Sequence, residues 1–116
     1  MSSSAERKFK REKVDIRVRL RRWEEKDAAA RVMRTFELSE GGLSVYAPDP
    51  LEVGTCVMVS FSLPPEESPI RVRAMVRNRH GFRCGLEFVD LPAAERFEIV
   101  RYLGAIGGSA AGTAGS

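Results

Sequence analysis

The chain has 116 residues, which is long enough for one compact core and too short for two ordinary domains. Hydrophobic residues make up 43% of it and charged residues 30%, a composition that excludes a disordered or fibrous protein and predicts a globular one. It contains no apolar run near the roughly 20 residues of a membrane-spanning helix and no apolar secretion signal, so we expect a cytoplasmic protein.

The net charge of +3 is distributed unevenly along the chain. Residues 1–22 hold nine Lys and Arg against three Asp and Glu, so this segment carries +6 and the remaining residues −3. A local excess of arginine is typical of proteins that bind an anion, phosphate above all. A basic segment that only aids solubility would show the same pattern, and charge alone does not separate the two.

Six segments predict six short strands. Four show alternating apolar and polar residues, as expected where successive side chains point to opposite faces of a sheet, whereas residues 32–38 are rich in β-favouring residues and residues 43–46 lie between a glycine turn and Pro48. In chain order the six segments cover residues 14–20, 32–38, 43–46, 56–63, 70–77 and 82–88. Residues 23–30 predict a long turn or one helical turn, the pair Gly41 and Gly42 a tight turn, and residues 78–81 the turn of a hairpin.

Beyond the last strand the period of the pattern changes from two to that of a helix. Pro92 suits the first turn of a helix. Phe97 and Val100 fall on the helical repeat, with Ile99 and Leu103 beside them. One amphipathic helix is therefore expected to close the fold.

The connections between the strands are too short for parallel crossovers. We therefore expect an all-β fold, a small six-stranded antiparallel barrel with one C-terminal helix that covers an end or a face. Residues 14–104 would form this domain, after a flexible basic segment of residues 1–13. Residues 105–116, rich in Gly, Ala and Ser, predict a disordered tail.

Groups that could support catalysis are sparse in this sequence. Cys56 and Cys84 lie far apart and form no CxxC motif, which suggests neither a disulfide nor a zinc site. His80, the single histidine, lies in the predicted hairpin turn with no serine, cysteine or acid at catalytic spacing. We therefore expect no catalytic residue, no metal site and no cofactor, and hence a protein that is not an enzyme.

Two short motifs stand on either side of the first two predicted strands. The stretch RKFKR, from Arg7 to Arg11, precedes the first strand, and ELSEGG, from Glu37 to Gly42, joins the second strand to the third. Each motif alone is unspecific, but their order and separation, with GGLSV and GLEF in the strands around them, resemble the PilZ domain family. The resemblance covers about residues 7–104.

This resemblance implies that the protein binds cyclic di-GMP, the bacterial second messenger, without chemistry on it. By position Arg7 and Arg11 would clamp the ligand, and Ser39, Gly41 and Gly42 would belong to the turn that holds it from the barrel side. An arginine can donate two parallel hydrogen bonds to guanine N7 and O6, stack on the base, or pair with phosphate. Plain turn geometry would also account for the two glycines, and a hydrogen bond within the turn for the serine.

Glu37 departs from the family pattern, which begins this turn with Asp or Asn. Glutamate keeps the charge and the acceptor oxygens but adds a methylene, and a hydrogen bond that becomes an ångström too long is largely lost. A carboxylate that reaches a guanine N–H would preserve affinity. One that points elsewhere would place a negative charge near two phosphates and weaken binding or abolish it.

Three functions follow from these features. The first is a receptor in which cyclic di-GMP orders the arginine segment against the barrel and an unidentified partner protein reads the altered surface. The second is an adaptor of the same fold that has lost the nucleotide, for which Glu37 is the sequence feature. The third is a nucleic-acid module that uses the basic N-terminus, although alternating exposed aromatic residues, which single-strand binding usually needs, are lacking.

Two further groups of residues have structural interpretations. Trp23 is expected to cover an end of the barrel. Four arginines of the last hairpin lie on its polar side, where they form either a solvated face or an extension of the anion-binding surface: Arg71, Arg73, Arg77 and Arg79.

Overall fold

A computed structural model of the protein describes residues 11–25, 30–48, 51–64 and 69–115. The elements are β1 (Glu12–Arg22), β2 (Arg31–Leu38), β3 (Gly42–Tyr46), β4 (Cys56–Phe61), β5 (Ile70–His80), β6 (Arg83–Val89) and the helix α1 (Ala93–Gly115). Every pair of neighbouring strands is antiparallel, and the strands close into a barrel in the order β1, β2, β3, β6, β5, β4. The predicted six-stranded antiparallel barrel with a C-terminal helix is confirmed.

The inward-facing half of each alternating pattern fills the barrel. Val57, Val59 and Val76 are fully buried, and Val18 and Leu38 keep 1% of their surface exposed. Burial of a side chain of this size stabilises the fold by about 1.5–3 kcal/mol. The alternation from which the strands were predicted is therefore also what holds them together.

Helix α1 packs on this core through a different stripe from the one that the sequence suggested. Ile99 is fully buried, and Leu103 packs against the core one turn later. Phe97 and Val100 are 66% and 44% exposed, so the prediction that they lie on the packed face is wrong. The stripe of Ile99 and Leu103 and the stripe of Phe97 and Val100 both fit a 3.6-residue period. The helix is rotated about its axis so that the first of them faces the core.

The C-terminal end of α1 also differs from the sequence-based expectation. The helix extends to Gly115, through the Gly, Ala and Ser segment for which no regular structure was predicted. Alanine is the best helix former, and no proline follows Pro92 to end the helix. The division of the chain into segments at residues 13 and 104 stays a prediction.

The hairpin of β5 and β6 turns two residues later than expected. His80 pairs with Arg83, so the loop consists of Gly81, in the left-handed region with φ 64°, and Phe82. Phe82 is 67% exposed, and the prediction that it starts the inward-facing pattern of β6 is wrong. A bulge between Val76 and Asn78 shifts the register, which carries β5 past the predicted turn.

Candidate ligand-binding site

The turn between β2 and β3 is organised by the side chain of Ser39. Its main-chain N–H donates to the carbonyl of Gly42 at 2.8 Å. Its hydroxyl oxygen accepts hydrogen bonds from the N–H groups of Gly41 and Gly42 at 3.1 and 3.2 Å, and the hydroxyl lies 3.3 Å from the Gly42 carbonyl. The turn hydrogen bonds are therefore present, and a contact between Ser39 and a ligand stays a prediction.

Gly42 is needed where β3 leaves the turn and meets β6. A Cβ atom at this position would lie 2.0 Å from the carbonyl oxygen of Leu86, far inside van der Waals contact. The carbonyl of the preceding Gly41 accepts a hydrogen bond from the N–H of Phe88 at 2.9 Å. Close approach of the β6 backbone thus explains the glycine at position 42, and its role toward a ligand stays a prediction.

The pairing of β1 with β2 brings the two sequence motifs together. Glu12 pairs with Leu38 and Lys13 with Glu37. Arg11, the residue before β1, therefore lies beside the start of the turn between β2 and β3. A guanidinium nitrogen of Arg11 lies 3.9 Å from a carboxylate oxygen of Glu37, and these side chains are 56% and 30% exposed. Such a pair contributes about 0–1 kcal/mol and is easily replaced by another partner. Arg7, the other predicted clamp residue, lies outside the described residues.

A row of polar side chains continues across the outer surface from Glu37. Lys13 and Ser44 are the cross-strand neighbours of Glu37, and Ser44 in turn pairs with Gly85. The missing side chain at Gly85 leaves room for the amide of Asn78, which a Cβ atom there would meet at 2.7 Å. Sequence reasoning missed this row, because it depends on strand register, which the motifs do not specify.

The candidate turn is also tied to the helix. The guanidinium of Arg96, in the first turn of α1, donates to a carboxylate oxygen of Glu40 at 2.9 Å, and the two side chains are 43% and 31% exposed. Together with the bond from Phe88 to Gly41, this contact connects the turn to the helix and to β6. The site therefore rests on elements from both halves of the chain.

The candidate site offers hydrogen-bonding groups of several kinds. Arg11 and Lys13 offer cationic donors, Glu37 offers acceptor oxygens, and Ser44 and Asn78 offer neutral hydrogen-bonding groups within one surface. Among the described residues, no group of three or more His, Cys, Asp or Glu could hold a metal ion.

No helix in the described part of the chain is long and apolar enough to cross a membrane.

The family model described as PilZ domain matches residues 5–105. The chain belongs to the PilZ domain family. This match includes both motifs, the whole barrel and the first half of α1, so the resemblance found in the sequence is confirmed. PilZ domains are receptor or adaptor domains rather than enzymes.

Several solved structures share this PilZ fold. The PilZ domain of YcgR from Escherichia coli, solved with c-di-GMP, has a TM-score of 0.68 and 14% identity over 95% of this chain and 98% of that one. The PilZ domain of CeSA from a cellulose-synthesizing bacterium has a TM-score of 0.64 and 20% identity over 83% and 97%. No curated protein matches the sequence significantly.

The third similar structure belongs to a longer protein. It is the Bacillus subtilis inhibitor of motility MotI, with a TM-score of 0.70 and 21% identity over 83% of this chain and 48% of MotI. The chain thus spans about half the length of MotI. At these identities the similarity establishes a common fold.

Proposed function

We propose that this PilZ domain is a non-enzymatic bacterial receptor for cyclic di-GMP. The ligand binds between the segment that carries Arg7 and Arg11 and the turn from Glu37 to Gly42. The observation that supports this most directly is the contact of Arg11 with Glu37, because it joins the two motifs on one surface of the barrel. The YcgR PilZ domain, solved with c-di-GMP, has the same fold.

Binding uses the charges and donors that this surface offers. Arg11 exchanges its weak pair with Glu37 for a bidentate contact with a phosphate or with guanine N7 and O6. The released Glu37 carboxylate accepts from the amino group of a guanine, which compensates for its desolvation. Lys13, the cross-strand neighbour of Glu37, adds a second cationic group beside the phosphates.

The proposed signal is the ordering of the arginine segment over the bound nucleotide. In this proposal Arg7 folds onto the ligand together with Arg11, and a downstream partner protein recognises the new surface. The messenger acts inside bacterial cells, so the receptor works in the cytoplasm. It performs no reaction and needs no cofactor.

Isothermal titration calorimetry with cyclic di-GMP, with GTP as the control ligand, tests the proposal. We expect saturable binding at micromolar affinity or better, which corresponds to at least about −8 kcal/mol, and no heat of binding with GTP. Arg7→Ala and Arg11→Ala are each expected to weaken binding at least tenfold. Arg71→Ala removes the same charge from an exposed position of β5 and is the matched control, with unchanged affinity.

Two results would contradict this assignment. Wild-type affinity in both arginine variants would show that the nucleotide binds elsewhere. Absence of binding up to roughly 1 mM ligand, where the free energy of binding is only about −4 kcal/mol, would show that the chain is not a receptor for this nucleotide.

The second candidate is an adaptor that has lost the nucleotide, and the geometry of Glu37 favours it. Its carboxylate lies 3.9 Å from the Arg11 guanidinium and competes with a phosphate for it. Glu37→Asp separates the two functions, because it restores the family residue and shortens the side chain by one methylene. Cyclic di-GMP binding that appears only in Glu37→Asp would identify the adaptor, whereas binding by both proteins would identify the receptor.

A further inference from the structure

The outer surface of β1, β4 and β5 carries a concentration of arginines well away from the candidate nucleotide site. We call this surface the arginine face. Its members lie on the outward side of two strands: Arg17, Arg19 and Arg21 on β1, and Arg71 and Arg73 on β5. Arg19 lies eight residues beyond Arg11, or about 26 Å along an extended strand.

Strand register brings these arginines together. Arg19 pairs with Ser60 of β4, and Ser60 pairs with Arg71, so these three side chains form one cross-strand row. The next row consists of Arg21, Met58 and Arg73. Strands two apart in a sheet are separated by about 10 Å, and alternate residues of one strand by about 7 Å. Five guanidinium groups therefore share an area of roughly 10 by 14 Å.

Most of these charges have no counter-ion among the described residues. Arg73 pairs with Asp90 at 2.8 Å, and its guanidinium also lies 5.1 Å from the centre of the Trp23 ring. In the part of the chain that the structure describes, Arg17, Arg19 and Arg71 are exposed and form no salt bridge. Neighbouring like charges on a sheet are destabilising, and an acidic partner would remove that cost.

The edges of the arginine face favour a compact acidic surface over a long polyanion. Asp15 and Asp90, which are 74% and 81% exposed, border the face on β1 and after β6. Asp15 pairs with Arg34 at 3.0 Å and Asp90 with Arg73. A short acidic segment fits between these two carboxylates, whereas a nucleic acid or a membrane that extends past the arginines would also cover them. At the centre Met58 is half-buried, and Trp23, an aromatic ring next to this face, is covered by Arg73 and so is less available for base stacking.

We propose that the arginine face docks an acidic surface of a partner protein. Arginine and methionine are enriched in protein interfaces, and the guanidinium fork binds carboxylates with two parallel hydrogen bonds. Alternate glutamates on an extended segment of the partner are about 7 Å apart, which matches the spacing of Arg17, Arg19 and Arg21. This surface is independent of nucleotide binding, and its test does not require that the chain bind cyclic di-GMP.

A labelled peptide of about eight residues in which glutamate alternates with serine serves as the probe, and fluorescence anisotropy at low salt measures its binding to the full chain. We expect saturable binding that Arg71→Glu and Arg19→Glu each weaken at least tenfold. Arg79→Glu is the matched control, since it makes the same charge reversal on β5 about 26 Å from Arg71 along the strand and should change the affinity less than twofold.

Two other ligands test whether a nucleic acid or a membrane binds the arginine face instead of an acidic protein. An oligothymidylate of similar length represents nucleic acid, and vesicles that contain phosphatidylserine represent a membrane. Tighter binding of either one than of the peptide would overturn the proposal, and so would equal losses of peptide binding in Arg71→Glu and Arg79→Glu. Titration of Arg71→Glu with cyclic di-GMP distinguishes the arginine face from the candidate nucleotide site, because we expect this variant to bind the nucleotide with wild-type affinity.

Discussion

Replacement of Gly42 by alanine tests the packing of the candidate turn against β6. The new Cβ atom would lie 2.0 Å from the Leu86 carbonyl oxygen, 3.1 Å from its carbonyl carbon and 3.2 Å from the Cα atom of Glu87. All three are backbone atoms, so no side-chain rotation can relieve the contact. β3 and β6 must separate by more than an ångström at this pair, since unstrained contacts begin near about 3.5 Å.

The cost combines overpacking with loss of backbone hydrogen bonding. Overpacking costs about 1–3 kcal/mol, and each weakened hydrogen bond between β3 and β6 costs about 1 kcal/mol more. We therefore expect Gly42→Ala to lower the free energy of unfolding by roughly 3 kcal/mol, which corresponds to a fall in Tm on the order of 10 °C for a chain of this size.

Gly104→Ala is the matched control, because it makes the same chemical change where space is open. Gly104 is exposed on α1, and a Cβ atom there would meet nothing within 4 Å. Alanine in a helix interior is more stable than glycine by about 0.5–1 kcal/mol. Urea unfolding of the two variants should therefore shift in opposite directions. A Gly42→Ala protein within about 0.5 kcal/mol of wild type would refute the close approach to β6.

Three more substitutions test the helix and the turn. Ile99→Ala should lower the free energy of unfolding by about 2–5 kcal/mol through a core cavity, whereas Phe97→Ala, on the exposed side of α1, should change it by less than about 0.5 kcal/mol. If urea unfolding showed a larger loss of stability in Phe97→Ala than in Ile99→Ala, the assignment of Ile99 to the buried side of α1 would be refuted. Ser39→Ala should cost about 1–3 kcal/mol, because two N–H groups of the turn lose their acceptor. Equal stability of this variant and the wild type would show that water replaces the hydroxyl.

The sequence was informative where structure depends on local periodicity. Alternation identifies four of the six strands because inward and outward positions differ in solvent exposure, and the segment from Val57 to Phe61 shows this burial pattern without interruption. Periodicity was insufficient where tertiary contacts decide. It could not select Ile99 over Phe97 as the buried side of α1, and it could not anticipate the bulge that exposes Phe82.

The candidate site, too, was predictable from the sequence only in part. The motifs predict that Arg11 and Glu37 belong to one surface, because the first two strands are antiparallel neighbours. The outer row that includes Ser44 and Asn78 results from the register of four strands, which no short motif records. The arginine face has the same origin, since β4 lies between its two arginine-bearing strands and β4 carries no arginine.

Closure of the barrel restricts how any partner can recognise this domain. Each of the six described strands is hydrogen-bonded to a neighbour on both sides along part of its length, so none of them is an edge strand. A partner therefore finds no complete strand edge to extend, although adding a strand to an edge is a common way to bind an extended peptide through its backbone. Recognition then depends mainly on outward side chains and loops, so surface substitutions can change the choice of partner while the barrel stays the same. The lack of an edge strand among the described strands also disfavours edge-to-edge aggregation.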